Sequence, residues 1–208
     1  MGMGNNPVMY TDPHGDTVRI SFRDGFLGIF GPRRNLDFDN GNWYENGQTI
    51  NASSILGRIT TQMGDVNALY ADPDGMSILN ALVARPEVLT LRYGNPNGNR
   101  RDNNFVYWQA GRSLQMSGVN QGGGTVNLPA YIVLGHEVRH KLSQFLGLPN
   151  PPWYSNERGI DEIQATHFEN LLRRNAGLPL REFYESGVPA SRILVPGTRR
   201  NAHLHYTY

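Results

Sequence analysis

The sequence predicts a mixed α+β domain, because it contains segments of strand periodicity and segments of helical periodicity. Residues 17–22 alternate apolar and polar side chains, which is typical of a half-buried strand. Residues 74–84 carry apolar side chains at helical spacing, and residues 129–147 and 160–175 have the end signals of two further helices. With 208 residues, of which 38% are hydrophobic, the chain is long enough for one well-filled domain.

Composition excludes several classes of function. The formal net charge is +1, so no strong basic field favours nucleic acid as a partner. No apolar stretch is long enough to span a membrane, and the first residues lack the pattern of a signal peptide. Because cysteine is absent, disulfides and thiolate chemistry are excluded, and any metal site must use His, Asp and Glu.

The first half of the chain predicts strands and short helices in alternation. After the strand at 17–22, Asp24 and Gly25 predict a hairpin turn with a return strand over 26–30. Residues 31–52 are rich in Asn, Gly and Asp and predict a surface loop. A helix is expected from Ser53 or Ser54 to about Met63, another over 74–84, and a strand over 88–93. A polar loop is expected over 95–104.

The segment before residue 129 predicts a second hairpin, formed by residues 105–108 and 113–116. Such a hairpin could supply an edge strand that pairs with an extended peptide, or it could be a plain strand of the sheet. Residues 121–124 are expected to form a flexible hinge. No fixed structure is assigned to the tail, residues 189–208.

Residues 129–147 form the segment around which the rest is organised. Pro129 suits the first turn of a helix, and Gly147 suits the left-handed residue just past its end. His136 and His140 are four residues apart, so they lie on the same helix face. In this His-Glu-x-x-His pattern both imidazoles can bind one zinc ion, and Glu137 can act as general base on the water that the ion activates.

The two histidines have two interpretations. They could be buried core histidines with ordinary hydrogen-bond partners. However, the motif lies in an apolar run with Val133 and Val138 on either side, which is the context that a metal-binding helix requires. The zinc site is therefore the favoured hypothesis.

A catalytic zinc ion takes three protein ligands, so the third must come from another element. Glu162 is favoured, because the chain between it and His140 is long enough to fold the second helix across the first. Glu162 and Glu169 are seven residues apart and share a helix face, so either could bind the metal while the other orients a histidine. Asp161 and His167 are weaker competitors, and His167 is expected to point away. Asn170 and Arg173 are expected to be surface groups or outer-shell groups.

The second half of the chain resembles the NleD-like effector zinc metalloproteases. The resemblance covers roughly residues 65–184 and rests on the His-Glu-x-x-His motif, on the Glu-Asn pair of the following helix and on a Gly-Leu-Pro-x-Arg-x-x-Tyr segment at 177–184. It implies a zinc endopeptidase in which His136, His140 and Glu162 bind the metal and Glu137 is the base. It also matches Tyr184 to the family's terminal tyrosine, which could donate to the developing oxyanion or simply close the core.

Residues 4–15 resemble the end of the core domain of rearrangement-hotspot (Rhs) repeat proteins, which carry an Asn-Asn-Pro-x-x-Tyr-x-Asp-Pro-x-Gly signature. A toxin domain follows that signature in the family. The resemblance implies that residues 1–15 are the tail of an Rhs core and that residues 16–208 are the toxin domain. Asp16 stands where leucine is usual, so self-cleavage at this junction is not implied.

Together these observations predict a zincin-like α+β domain with a small twisted sheet, a zinc helix and a second helix that carries Glu162. The expected function is that of a secreted toxin, delivered into the cytosol of a target cell, that cleaves proteins there with Zn²⁺. Its expected partners are the protein substrate, the Rhs shell of the parent protein and an immunity protein, with no nucleic acid and no membrane span. The alternatives are a zinc hydrolase of a non-peptide or cell-wall amide bond and an inactive binding domain.

Overall fold

The computed structural model describes residues 18–23, 31–50, 55, 57–94, 98–99, 104–148 and 159–208. They form a mixed α+β fold with four helices, a seven-stranded sheet and a two-stranded sheet. The expected junction over 1–15, the Asp24–Gly25 turn, the strand over 26–30 and the helix cap at Ser53 or Ser54 lie outside the described residues. The strands are β1 Val18–Arg23, β2 Arg33–Asp39, β3 Asn42–Glu45, β4 Gln48–Thr49, β5 Leu89–Tyr93, β6 Gly98–Asn99, β7 Phe105–Trp108, β8 Leu114–Met116 and β9 Val126–Leu128.

The large sheet has the strand order β4-β3-β2-β1-β5-β7-β6. Its central strands β1, β5 and β7 are parallel, whereas β2, β3, β4 and β6 join by antiparallel pairing. The central strands are largely buried, and Val18, Ile20, Leu89 and Leu91 are fully covered. Such burial is expected of parallel strands with a helix layer against them.

Four helices complete the fold: α1 Gly57–Ala71, α2 Pro73–Val83, α3 Ala130–Phe145 and α4 Ile160–Asn175. The Asp72 carboxylate caps α2 by accepting hydrogen bonds from the backbone N–H groups of Asp74 and Gly75. The helix α3 follows Pro129 and ends before Gly147, whose φ of 63° is the left-handed conformation expected of a helix-terminating glycine. The predicted helix over residues 160–175 is confirmed at both ends.

Helix α3 lies at the centre of the helix layer, where it packs against α1, α2 and α4 and against strands β6 and β7. It lies close to α4 at Gly135. A Cβ added there would lie 2.5 Å from Leu172 Cδ1 and 3.2 Å from both Leu69 Cδ1 and Phe168 Cε1. The missing side chain therefore lets α4 lie directly against the segment that carries the two histidines.

Several sequence predictions are wrong. Residues 31–52 were expected to be a loop but contain β2, β3 and β4, with positive φ at Asn40 and Asn46 in the turns. The predicted hairpin of 105–108 with 113–116 does not form, because β7 joins the large sheet beside β5 while β8 pairs with β9. Helix α1 continues to Ala71 rather than ending near Met63.

The tail is also more ordered than the sequence suggested. Residues 189–208 form a short 3-10 helix and several isolated bridges, including one between Leu194 and Asn201. Ile193 and Leu194 are fully buried, and with Leu180 they form a small second core against which Tyr184 and Tyr208 pack. Among the described residues, no helix is long and apolar enough to cross a membrane.

Candidate metal centre

The helix α3 places the two histidines of the motif on one buried face. Their side chains lie one turn apart, and His136 Nε2 is 3.1 Å from His140 Nε2. Both residues are buried, with 9% and 4% of their surface exposed. The two ring nitrogens therefore converge on one point rather than facing separate neighbours.

Helix α4 brings a carboxylate to the same point. Glu162 Oε2 lies 3.2 Å from His140 Nε2 and 3.7 Å from His136 Nε2. Within the described part of the chain, His136, His140 and Glu162 form a group of possible metal ligands whose donor atoms all lie within 4.8 Å of one another. This is the combination of two histidines and one glutamate that the motif predicts.

The spacing of the three donor atoms fits a single tetrahedral ion. Ligands at roughly 2.0–2.1 Å from a tetrahedral zinc ion are about 3.4 Å from one another. The three separations of 3.1, 3.2 and 3.7 Å lie around this value. No rearrangement of the two helices is needed to bring the donors into coordination range.

Asp161 orients His140 from the opposite side of the ring. Asp161 Oδ2 is 2.6 Å from His140 Nδ1, so the Nδ1–H group donates to this carboxylate and leaves Nε2 for the converging point. Burial lowers the pKa of His140, but the hydrogen bonds to Asp161 and Glu162 outweigh it and raise the pKa to about 10. Conversely, burial raises the pKa of Asp161, and the hydrogen bond from His140 outweighs that effect and lowers it.

Glu169 faces His136 in the same way. Its Oε2 atom lies 3.0 Å from His136 Nδ1, an ion-pair distance, although the two atoms are not aligned as a hydrogen bond. Burial lowers the pKa of His136, whereas its contacts with Glu162 and Glu169 raise it, with a net increase. On each histidine, Nδ1 therefore faces a carboxylate and Nε2 faces the point on which the donor atoms converge.

Two arginines hold Glu169 in place. Arg173 Nε donates to Glu169 Oε1 and Arg181 Nη1 donates to Oε2, both at 2.8 Å. Burial raises the pKa of Glu169, but the positive charges of Arg181 and Arg173 outweigh it and hold the pKa far below its usual range. The carboxylate is therefore ionised and fixed where it faces His136.

The donor set can hold a cation at its centre. When both Nδ1 atoms carry the hydrogen that faces a carboxylate, both Nε2 atoms present lone pairs to each other and to the carboxylate of Glu162. Three such acceptors in a buried space repel one another unless a positive charge lies between them. Histidine nitrogen and carboxylate oxygen are ligands that zinc accepts, so the residues fit a zinc ion.

A pocket of about 170 Å³ opens beside this centre. His136, Glu137, Glu169 and Tyr184 contribute its polar wall, and the strands β8 and β9 contribute apolar side chains. The predicted base Glu137 is half-buried on α3, next to His136 in sequence and at the same pocket. The apolar part of the lining consists of Leu114, Met116, Leu128 and Val133.

The segment that carries Tyr184 is fixed to α4. The Asn170 side chain accepts from Arg181 N at 2.7 Å and donates to Arg181 O at 3.1 Å. Arg181 Nη2 then donates to Tyr184 O at 2.7 Å, and its guanidinium carbon lies 4.7 Å from the centre of the Tyr184 ring. The tyrosine is thereby held at the pocket by a residue that also binds Glu169.

Three of the five predicted site residues, His136, Glu137 and Tyr184, line one pocket. The other two, His140 and Glu162, meet His136 at the point where the three donor atoms converge. His167 points elsewhere, as expected, with Nδ1 2.8 Å from the Tyr208 hydroxyl. Of the two alternatives for Asn170 and Arg173, the surface position is wrong, because both are fully buried. Arg173 instead lies behind the site, where it binds Glu169. The roles of Asp161 in orienting His140 and of Arg181 in holding Glu169 were missed.

Comparison with known proteins finds no relative: no family model matches the chain, and neither a curated protein nor a solved structure does. A function is therefore inferred from the residues described above and from the two resemblances in the sequence.

Proposed function

We propose that the chain is a zinc-dependent endopeptidase with a zincin-like domain. The observation that carries this proposal is the convergence of His136 Nε2, His140 Nε2 and Glu162 Oε2 within 4.8 Å, at a pocket to which Glu137 also contributes. Two histidines and one glutamate leave a fourth tetrahedral position for water or substrate, which is the arrangement of a catalytic rather than a structural zinc site.

When bound, a zinc ion supplies Lewis-acid polarisation of the scissile carbonyl and lowers the pKa of water to near neutrality. The carboxylate of Glu137 takes the proton of the attacking water and passes it to the leaving amine. Asp161 and Glu169 keep the two imidazoles in the orientation that directs Nε2 to the metal. Tyr184, which also lines the pocket, donates a hydrogen bond to the oxygen on which negative charge develops.

The shape of the pocket supports a peptide as substrate. Strand β8 is largely exposed and pairs with β9, and its Leu114 and Met116 side chains line the pocket next to His136. An extended peptide adding to β8 would gain backbone hydrogen bonds along the strand. One of its apolar side chains would then occupy the space between Leu114, Met116 and Leu128.

The setting of this activity follows from the sequence resemblances. We infer that the chain is the toxin of an Rhs protein, released into the cytosol of a target cell, where it cuts a protein. An immunity protein in the producing cell would block the pocket. The chain has no cysteine, so it carries no disulfide that a reducing cytosol could break.

The decisive experiment measures proteolysis by the purified, zinc-loaded chain and by Glu137→Gln. A mixture of denatured proteins serves as substrate, and mass spectrometry identifies the new termini. Wild type is expected to cleave, and the variant is expected to lose about 10²–10⁴-fold in rate, the contribution of a general base. The zinc content of the variant should equal that of wild type, because Glu137 is not a ligand.

The matched control is Glu182→Gln, which removes a carboxylate that pairs with Arg192 away from the pocket. It should cleave at the wild-type rate. Equal cleavage by Glu137→Gln and wild type would contradict the proposal. Cleavage of purified peptidoglycan without cleavage of any protein would replace the endopeptidase with a cell-wall amidase.

A further inference from the structure

A second concave site lies at the carboxyl ends of central strands of the large sheet, formed by residues that the metal centre does not use. It is a pocket of about 260 Å³ at the ends of β1, β2 and β5 and at the start of α1. We call it the arginine pocket, defined by Arg23, Arg33, Arg58, Gln62, Arg92 and Tyr93.

The topology explains why four arginines meet there. Strands β1 and β5 are parallel neighbours, so Arg23 and Arg92 lie near their carboxyl ends at the same edge of the sheet. Strand β2 runs antiparallel to β1, and its first residue Arg33 is paired with Arg23. After β1 the chain continues to β2, whereas β5 lies on the other side of β1. In sheets with parallel strands, ligands often bind where the connections from two neighbouring strands lead in opposite directions.

Helix α1 contributes from above the sheet edge. Arg58 and Gln62 are four residues apart on one face, in the first two turns of the helix. The first turn of α1 carries no acidic residue, so no carboxylate in that turn neutralises the positive end of the helix dipole. The helix end thus adds to the positive potential of the pocket.

Neighbouring arginines on the same strands are neutralised, whereas those of the pocket are not. Arg19 binds Asp37, and Arg34 binds Glu45 through two hydrogen bonds. Within the described ranges, no carboxylate pairs with Arg23, Arg33, Arg58 or Arg92. Arg92 stacks on Phe105, with 3.7 Å from its guanidinium carbon to the ring centre, and Arg23 donates to a backbone carbonyl.

Gln62 provides an independent observation. Only 3% of its surface is exposed, and none of the residues that the structure describes hydrogen-bonds to its side-chain amide. Its amide atoms are not sealed in the interior but reach the open space of the pocket, where water or an occupant can bind them. Since this amide lines the arginine pocket, it is a hydrogen-bond group available to an occupant.

We propose that the arginine pocket binds a small molecule that carries a di- or polyphosphate group. Guanidinium forks bind phosphate oxygens in pairs, so four of them around one pocket match more than one phosphate. Gln62 can donate to a bridging or terminal oxygen, and the exposed Tyr93 ring offers a surface for an organic part of the ligand. The positive groups converge in one concavity and the net charge is only +1, so an extended nucleic-acid backbone is disfavoured.

The test is calorimetric titration of the zinc-loaded full chain with pyrophosphate at 0.15 M salt, with inorganic phosphate and sulfate as comparison probes. Pyrophosphate is expected to bind at one site and at least 10-fold more tightly than either single anion. It should also raise the melting temperature. Binding should also persist in Glu162→Gln, which lacks a proposed zinc ligand, so that binding at the arginine pocket is separated from coordination of pyrophosphate by zinc. Loss of binding in this variant would place the anion at the metal and overturn the proposal.

Arg58→Gln is the principal variant, because it removes an exposed charge from a helix surface and leaves the helix intact. It should weaken pyrophosphate binding at least 10-fold, and Gln62→Leu should weaken it several-fold. The matched control Arg199→Gln, an exposed arginine of the tail, should bind like wild type. The absence of saturable binding, equal binding of sulfate, or an equal loss in Arg199→Gln would overturn the proposal. Binding of an RNA oligonucleotide without competition by pyrophosphate would also overturn it.

Discussion

Glu169 Oε2 lies 3.0 Å from His136 Nδ1, on the side of the imidazole opposite to the atoms that converge with Glu162. Both glutamates come from one face of α4, but they face different nitrogens of the histidine pair. In the proposed metal centre Glu162 is therefore a ligand, and Glu169 is a positioning residue that acts through His136. The two buried arginines that bind Glu169 make this orientation rigid.

Replacing Glu169 by glutamine should weaken zinc binding without abolishing it. The loss of a carboxylate behind a histidine ligand typically costs 10–100-fold in metal affinity. The variant should also be less stable, because Arg173 and Arg181 keep buried charges without a carboxylate. Zinc affinity by competition with a chromophoric chelator and thermal unfolding would measure both effects. Unchanged affinity in a folded variant would show that Glu169 only neutralises the arginines.

Tyr184→Phe should lower kcat and leave KM nearly unchanged, if the hydroxyl donates to the developing oxyanion. Loss of one such donor costs about 10²–10³-fold in rate. The phenylalanine ring preserves the contact with Arg181, so stability should change little. Steady-state kinetics on a peptide from the identified cleavage site would test this. Wild-type kcat in Tyr184→Phe would leave the residue with a packing role alone.

Gly135→Ala should destabilise the fold and weaken zinc binding together, because the new Cβ would press on Leu172 and move α4 away from α3. Overpacking of this kind costs about 1–3 kcal/mol. The control is Gly64→Ala on the exposed face of α1, where a Cβ meets nothing within 4 Å. That change should stabilise by up to about 1 kcal/mol through helix propensity. Denaturant unfolding of the zinc-free proteins and zinc titration would distinguish them, and zinc affinity unchanged in Gly135→Ala would contradict the role given to this close approach.

His167 should make the fold less stable in mild acid. Burial, and then the positive charge of Arg139, lower its pKa below the usual value of 6.5. Because the unfolded chain then binds the proton more readily, stability is unaffected above pH 6.5 and falls as the pH drops from there through the lowered pKa. Melting temperatures between pH 8 and pH 5 should therefore fall less steeply for His167→Gln than for wild type. The exposed His205 provides the control, since His205→Gln should keep the wild-type slope.

The sequence predicted those parts of the fold that local signals determine. Helices α3 and α4 were identified by their histidine motif, by Gly147 and Gly177 after their ends and by apolar spacing. The strands β2 to β4 were missed, because their short apolar content is interrupted by Asn and Gly turns that resemble a loop. Strand β2 joins the sheet by pairing with β1, β3 pairs with β2, and β4 pairs with β3, and no local pattern encodes these pairings.

In the candidate site, too, local signals could be read from the sequence and long-range contacts could not. His136, Glu137 and His140 follow from a spacing within one helix. The need for a third ligand favoured Glu162 but left Glu169 as an alternative. The positions of Asp161 and Glu169 relative to the two histidines depend on the packing of α4 on α3, which Gly135 permits. Two arginines that follow Glu169 in the sequence, Arg173 and Arg181, were the available signal for a buried ionic cluster. Spacing alone does not distinguish such a cluster from surface charge.

The measurement that most directly tests the central claim is zinc content by elemental analysis of wild type and Glu162→Gln, after dialysis against a weak chelator. Circular dichroism of both samples would show whether they are folded. Wild type should retain about one zinc ion per chain, and Glu162→Gln should lose it because two histidines alone hold the ion too weakly. A folded wild type without zinc, or a Glu162→Gln variant that retains a full equivalent, would contradict the metal centre proposed for His136, His140 and Glu162.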